Sequence, residues 1–276
     1  MIMDIFQYEF LARAFLSGLC IGILAPLMGM FLVVRRFSLL ADTLSHVSLL
    51  GVALAVWIKQ PIFLGALFAS LLGGIGMETL RRSGRVMNEA ILALFLSGSL
   101  AFALIFLALA EGVNVNLLSY LFGSITTVTR EDVLLLGSLT IMILLFMFAA
   151  YRKLFLIALD EDLARVDGVR VNLYNFFFIL IASLVVAAAL PMVGVLLVGA
   201  LMIVPVLAAM QWHLSFIATL IMSVVIAETS VVLGFLLSYE YNLPSGATIV
   251  LAAIAIFLLS YLFGSQKSRF FGLHKS

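Results

Sequence analysis

Asp42 and His46 stand four residues apart inside the apolar run LLADTLSHVSLLGVALA, residues 39–55. On a helix that spacing stacks both side chains on one face, and Ser38 and Ser45 fall within the same arc. If the helix starts just after Arg36 at a membrane surface, the rise per residue sets Asp42 roughly 9 Å deep and His46 roughly 15 Å deep, near the midplane. An ionisable group at that depth costs roughly 3 kcal/mol or more unless it faces a partner or a water-filled cavity. Glu228, deep within MSVVIAETSVVLG, is a third such charge. Two carboxylates and an imidazole suit a transition-metal dication such as zinc, and the harder Mn²⁺ accepts the same set. Two copies in a dimer would double the ligands. The same residues fit two other roles: Asp42 and His46 can satisfy each other or cap a neighbouring helix end, and Asp, Glu and His chains also relay protons.

Such residues need a scaffold, and the composition names its solvent. Of 276 residues, 65% are hydrophobic and 11% charged, and the mean hydropathy is +1.28. A soluble chain carries charge on about a quarter of its residues. The reading is therefore an integral membrane protein, all-α, with lipid in place of most of the water. The formal net charge of +1 points to no nucleic acid or acidic partner. Cys20 is the single cysteine, which excludes a disulfide framework and a paired-cysteine metal knuckle, and it is read as packing. The first apolar segment lacks a basic leader and a small-residue cleavage site, so it is expected to be a retained span.

Crossing the hydrocarbon core takes about 20 apolar residues. Runs of that kind fall at 10–34, 37–58, 61–79, 88–110, 131–150, 172–190, 193–210, 214–238 and 247–264. The expectation is about nine spans, eight to ten being open, in one transmembrane domain covering 1–276. Segment 114–128 is too polar for a span and reads as re-entrant or interfacial. Basic residues gather at Arg35 and Arg36, at RRSGR (81–85), at YRK (151–153) with Arg165 and Arg170, and at QKSRFFGLHK (266–275). Nine alternating spans put all four clusters on one side, which places the N-terminus outside and the C-terminus in the cytoplasm of a multi-pass protein.

Three further features bear on function. Pro191, Gly194, Gly199 and Pro205 interrupt LPMVGVLLVGALMIVP, which reads either as a broken helix lining a pathway or as kinking and small-residue packing. His213, beside Trp212 at a span end, fits the interfacial belt, and His274 in the basic tail is solvated; neither is assigned a ligand role. The hydrophilic insertion at about 151–171 holds a short amphipathic helix with acids at 160–162, Arg165, and Gly168 as its stop. It reads as a docking element or a solvated loop helix.

In this order the motifs resemble the permease subunits of ATP-binding-cassette importers for zinc, manganese and iron, over about residues 10–264. LLADTLSHVSLLGVALA is similar to that family's D-x-x-S-H element, LIALDEDLARVDGVRV to its cytoplasmic coupling helix, and MVGVLLVGALMIVPVLAA and SYEYNLPSGATIVLAA to two further signatures. The resemblance implies the type II, vitamin B12-importer-like transmembrane fold in a bacterial cytoplasmic membrane. It implies a permease homodimer served by an extracytoplasmic metal-binding protein and two copies of a cytoplasmic ATPase. Asp42 and His46 match the family's intramembrane metal-contacting pair, whereas Glu228 joins them only by its depth. Asp160, Glu161, Asp162, Leu163, Ala164, Arg165 and Gly168 match the coupling helix. DTLSHVSLLG and LLSYLFGSI are closer to the zinc-type members.

No G-x-x-x-x-G-K-[ST] phosphate loop occurs, so ATP hydrolysis is expected in a separate subunit and no resident cofactor in this one. Ser38, Ser45, Pro191, Gly194, Gly199 and Pro205 are the expected pathway residues. Manganese or iron as cargo, and a proton-coupled secondary metal transporter, are the alternatives. An intramembrane zinc hydrolase would need an H-E-x-x-H or H-x-x-E-H pair, and neither exists here.

Overall fold

The computed structural model describes residues 8–110, 123 and 128–270. Segment 114–128, apart from Gly123 and Val128, and His274 lie outside the described residues. Among the described residues there are ten helices and no strand: α1 Glu9–Val34, α2 Leu39–Trp57, α3 Ile62–Ser83, α4 Asn88–Leu109, α5 Arg130–Leu159, α6 Glu161–Val166, α7 Val171–Val193, α8 Val195–Met210, α9 Phe216–Tyr241 and α10 Ser245–Phe270. Backbone groups left bare in lipid are too costly, and helices satisfy all of them internally.

Eight of these helices are long and apolar enough to cross a bilayer. The seventh expected span, 193–210, is instead the 16-residue α8, only about 24 Å long. Its shortness follows from Gly194, which breaks the α7–α8 run at φ 83°, ψ 160°, a conformation open essentially to glycine alone. Pro205 lies inside α8, and Pro191 falls in the last turn of α7. Other helices outrun the apolar count. The 30-residue α5 carries Tyr151, Arg152 and Lys153 within it rather than in a loop, and α3 continues through Arg81 and Arg82.

Helices α1, α2 and α7 form the centre. Their most apolar stretches are 67%, 72% and 61% buried, against 22–39% for α3, α4, α5, α9 and α10, whose remaining surface is left for lipid. Helix α2 packs on α3, α4, α7 and α8, while α9 packs on α1, α8 and α10. Gly51 of α2 and Gly65 of α3 bring the two backbones into contact, since a side chain on either would overlap the other's carbonyl. Helix α1 ends with Arg36 in the left-handed conformation (φ 59°) and the Phe37 amide donating to the Leu32 carbonyl at 2.8 Å, a Schellman closure. The turn is so short that α2 starts three residues later. Residues of three of the basic clusters meet at one end of the bundle, where Arg35, Arg81 and Arg165 all reach Glu161.

Candidate metal pathway and its coupling end

Asp42 lies in the first turn of α2, where the helix dipole favours an anion, and His46 follows one turn later. Both side chains are half-buried, and each is the charged group that bears on the other. The Nδ1 atom of His46 is buried with no hydrogen-bond partner. The neighbouring hydroxyls do not help it: Ser45 donates back to the Ala41 carbonyl, Thr43 to Leu39 and Leu92, and Ser48 Oγ is itself unpartnered. Ser38 occupies the N-cap position without a capping bond. A buried polar atom left unpaired costs about 1–3 kcal/mol, so His46 sits in an arrangement that only a further group would satisfy.

Helix α8 closes the other side of Asp42. Gly199 faces the carboxylate directly, and a methyl group there would overlap Oδ1. The break at Gly194 sets the level from which α8 runs down α2, since Leu190 and Val195, on either side of it, pack with Leu49, Val52, Ala53 and Val56. Two of the expected pathway positions, Gly194 and Gly199, are thereby tied to the Asp42 helix.

Glu228 is placed elsewhere. It stands on α9 against Gly22 of α1, within electrostatic reach of Cys20, and its Oε1 has no hydrogen-bond partner. Among the described residues of one chain, no three His, Cys, Asp or Glu side chains come together as a metal shell. The structure pairs Asp42 with His46 and does not bring Glu228 to them, because α9 packs on α1 rather than on α2. His213 lies just past α8 with a left-handed backbone (φ 50°), apart from the pair.

The short helix α6 sorts the expected coupling residues by job. Asp160 caps it, accepting from the amides of Asp162 and Leu163, and Gly168 ends the turn at φ 77°. Ala164 is buried and receives the Val169 amide on its carbonyl at 2.9 Å, clamping the turn. Leu163 (58% exposed) and Val166 (89%) point their apolar side chains outward, flanked by the exposed Asp162 and Arg165.

Glu161 turns the other way. Its Oε1 accepts from Arg35 at 2.6 Å, from Asn175 at 3.1 Å and from Arg81 at 3.5 Å. Burial pushes the Glu161 carboxyl up, but the Arg35 and Arg81 guanidiniums outweigh it and hold the group below the ordinary glutamate range. Phe37 lies under both guanidiniums, at 5.9 and 6.0 Å from its ring centre, and the buried Glu78 holds Arg81 and Arg82 at 2.7 and 2.8 Å. Arg35 and Phe37 lead straight into α2, so α6 is tied to the helix that carries Asp42 and His46. The Glu78–Arg81–Arg82 spacing was readable as i, i+3 and i, i+4 pairing. The Glu161–Arg35 contact joins residues 126 positions apart and left no local signal.

Comparison with known proteins agrees with this layout. The profile of the ABC 3 transport family matches residues 7–264. A probable metal transport system membrane protein of Treponema pallidum is 32% identical over 92% of this chain and 95% of its own length. The manganese transport system membrane protein MntC of Listeria monocytogenes is 27% identical, over 96% and 94%. The high-affinity zinc uptake system membrane protein ZnuB of Haemophilus influenzae is 25% identical, over 92% and 97%. Among solved structures, PsaBC from Streptococcus pneumoniae, in complex with Fab, superposes with a TM-score of 0.83 at 29% identity, covering 95% of each chain. With the family profile matched over residues 7–264, the chain, its D-x-x-S-H helix at the centre of the bundle and a short acidic helix at one end, belongs to the ABC 3 transport family.

Proposed function

We propose that the chain is the permease subunit of an ATP-binding-cassette importer that carries a divalent transition metal, zinc by preference, into the cytoplasm. The observation that carries this reading is the buried, unpartnered His46 Nδ1 one turn from Asp42, since a passing cation supplies the missing electrostatic partner. Two ligands from one chain make a weak site, which suits transport: zinc held at structural-site strength, roughly 10 kcal/mol or more, would not leave on a useful timescale. A homodimer brings a second Asp42–His46 pair toward the same cation. Glu228 takes a separate role, outside that set.

Two copies of an ATPase dock on the Leu163 and Val166 face of α6, and Glu161 passes their movement through Arg35 to α2. An extracytoplasmic metal-binding protein loads the opposite end, with the N-terminus outside and the C-terminus in the cytoplasm of a bacterial cell. Manganese is the second reading, supported by the relative named for manganese transport, and the ligand chemistry admits both ions.

The test is ⁶⁵Zn and ⁵⁴Mn uptake into proteoliposomes holding the permease, its ATPase and its binding protein. ATP-dependent uptake that is lost in His46→Ala and Asp42→Asn supports the reading, and the faster ion identifies the cargo. Metal uptake that proceeds without the ATPase, or is untouched by both substitutions, would sink it.

A further inference from the structure

An open cavity of about 940 Å³ lies beside α6, walled by Arg81, Arg82, Arg165 and Arg170 together with Leu173 and Phe176, and no acid lines it. Arg170 is exposed and has no side-chain ion pair among the described residues. Arg165 is 55% exposed and reaches acids only at 3.7 and 3.8 Å. Arg81 and Arg82 share the carboxylate of Glu78, and Arg81 reaches Glu161 as well at 3.5 Å. Across this cluster four arginines (35, 81, 82 and 165) share three acids (78, 161 and 162) and Arg170 pairs with none, so the arginines outnumber the acids they pair with.

The cavity is also two-faced. Leu173, 44% exposed, and Phe176 carry its wall from the arginines down the first turns of α7, and Phe177, 45% exposed, continues the apolar surface onto a membrane-crossing helix. We propose that this cavity binds the headgroup of an anionic phospholipid, the phosphate held by Arg165 and Arg170 and the acyl chains lying along Leu173 and Phe176. Guanidiniums match phosphate oxygens in bidentate geometry, and basic pockets between spans at one membrane face are suited to anionic headgroups. A free phosphate satisfies the arginines and leaves the apolar wall bare. An acidic protein segment would approach from water, not along α7.

The inference needs only that the chain spans a bilayer, so it stands apart from the identity of the cargo. The purified permease in mild detergent is mixed with phosphatidylglycerol or phosphatidylcholine, and retained lipid is counted by native mass spectrometry. Phosphatidylglycerol should be retained over phosphatidylcholine. Arg170→Gln should weaken retention about fivefold and Arg165→Gln/Arg170→Gln about 25-fold, as expected for an interaction of that size per basic residue. Arg170→Lys should recover part of the loss. Arg130→Gln, an exposed charge paired with Glu9, should change nothing. Unchanged helicity and elution volume establish that the variants fold, and Arg170→Gln alone decides if the double variant does not.

Equal retention of both lipids would overturn the proposal, as would an Arg130→Gln effect as large as that of Arg170→Gln. Displacement of phosphatidylglycerol by millimolar inorganic phosphate would make the cavity a free-anion site. Displacement by the ATPase, with ATPase affinity falling in Arg170→Gln, would make it a protein interface. Either result refutes the lipid assignment.

Discussion

Gly199→Ala is the substitution whose outcome the geometry fixes most tightly. A methyl group at Gly199 overlaps Oδ1 of Asp42 and approaches its carboxyl carbon, while the Asp42 backbone is left at ordinary contact distance. Two effects of opposite sign compete. Alanine is favoured over glycine inside a helix by about 1 kcal/mol, whereas forcing an extra methyl into a packed contact costs about 1–3 kcal/mol. Because the displaced group is a half-buried carboxylate and not the end of a flexible apolar chain, the upper part of that range applies, and Gly199→Ala should destabilise by about 1–2 kcal/mol net. In an Asp42→Ala background the overlap is gone and only the helix preference remains, so Gly199→Ala should then stabilise by up to about 1 kcal/mol. The assay is a double-mutant cycle on unfolding in mixed detergent micelles, which isolates the pairwise term. Uptake should fall in Gly199→Ala and stay low in the double variant, since the carboxylate is displaced in one and absent in the other. Additive stability effects, without the change of sign, would refute the contact between α8 and Asp42.

Glu161→Gln removes the anion from Arg35 and Arg81, whose side chains are only 13% and 15% exposed. Allowing for the 28% exposure of Glu161 itself, the loss should be about 1–2 kcal/mol, and ATP hydrolysis in the assembled transporter should continue with less metal moved per ATP. Because the folded Glu161 carboxyl is held below its ordinary range by Arg35 and Arg81, its contribution is fully present above the unfolded value of about 4.3 and is lost as pH falls through the lowered folded value. Melting temperature should therefore lose this contribution only below about pH 4.3, and in Glu161→Gln that part of the acid limb should disappear. Gly194→Ala, at φ 83°, ψ 160°, should cost about 1–3 kcal/mol by backbone strain alone and lower both the thermal midpoint and uptake. A gain in stability there would contradict the break between α7 and α8.

Much of this was legible in one dimension because lipid makes hydropathy a length measurement. Every apolar run of spanning length became a helix, and the i, i+4 register of Asp42 and His46 was enough to place both on one face. Counting failed where a helix leaves the membrane: α5 runs on past Ala150 through Tyr151, Arg152 and Lys153, since a helix in water needs no apolar residues to continue. It also failed at α8, where the glycine that shortens the helix costs nothing in hydropathy. Depth alone grouped Glu228 with Asp42 and His46, but depth is one coordinate, and the choice of neighbouring helix is made by surfaces such as Gly22 and Gly18 of α1, which admit α9 closely. The sequence marked the short helix α6 but could not sort Glu161, turned toward Arg35, from Leu163 and Val166, turned outward.

The most direct check of the Asp42–His46 site is anomalous scattering from crystals of the permease soaked in zinc and, separately, in manganese. A metal peak about 2.0–2.2 Å from the imidazole nitrogen of His46 and a carboxylate oxygen of Asp42 is the expected result. A peak confined to Glu228, or soaked crystals with His46 still unliganded and metal bound elsewhere in the membrane region, would contradict it.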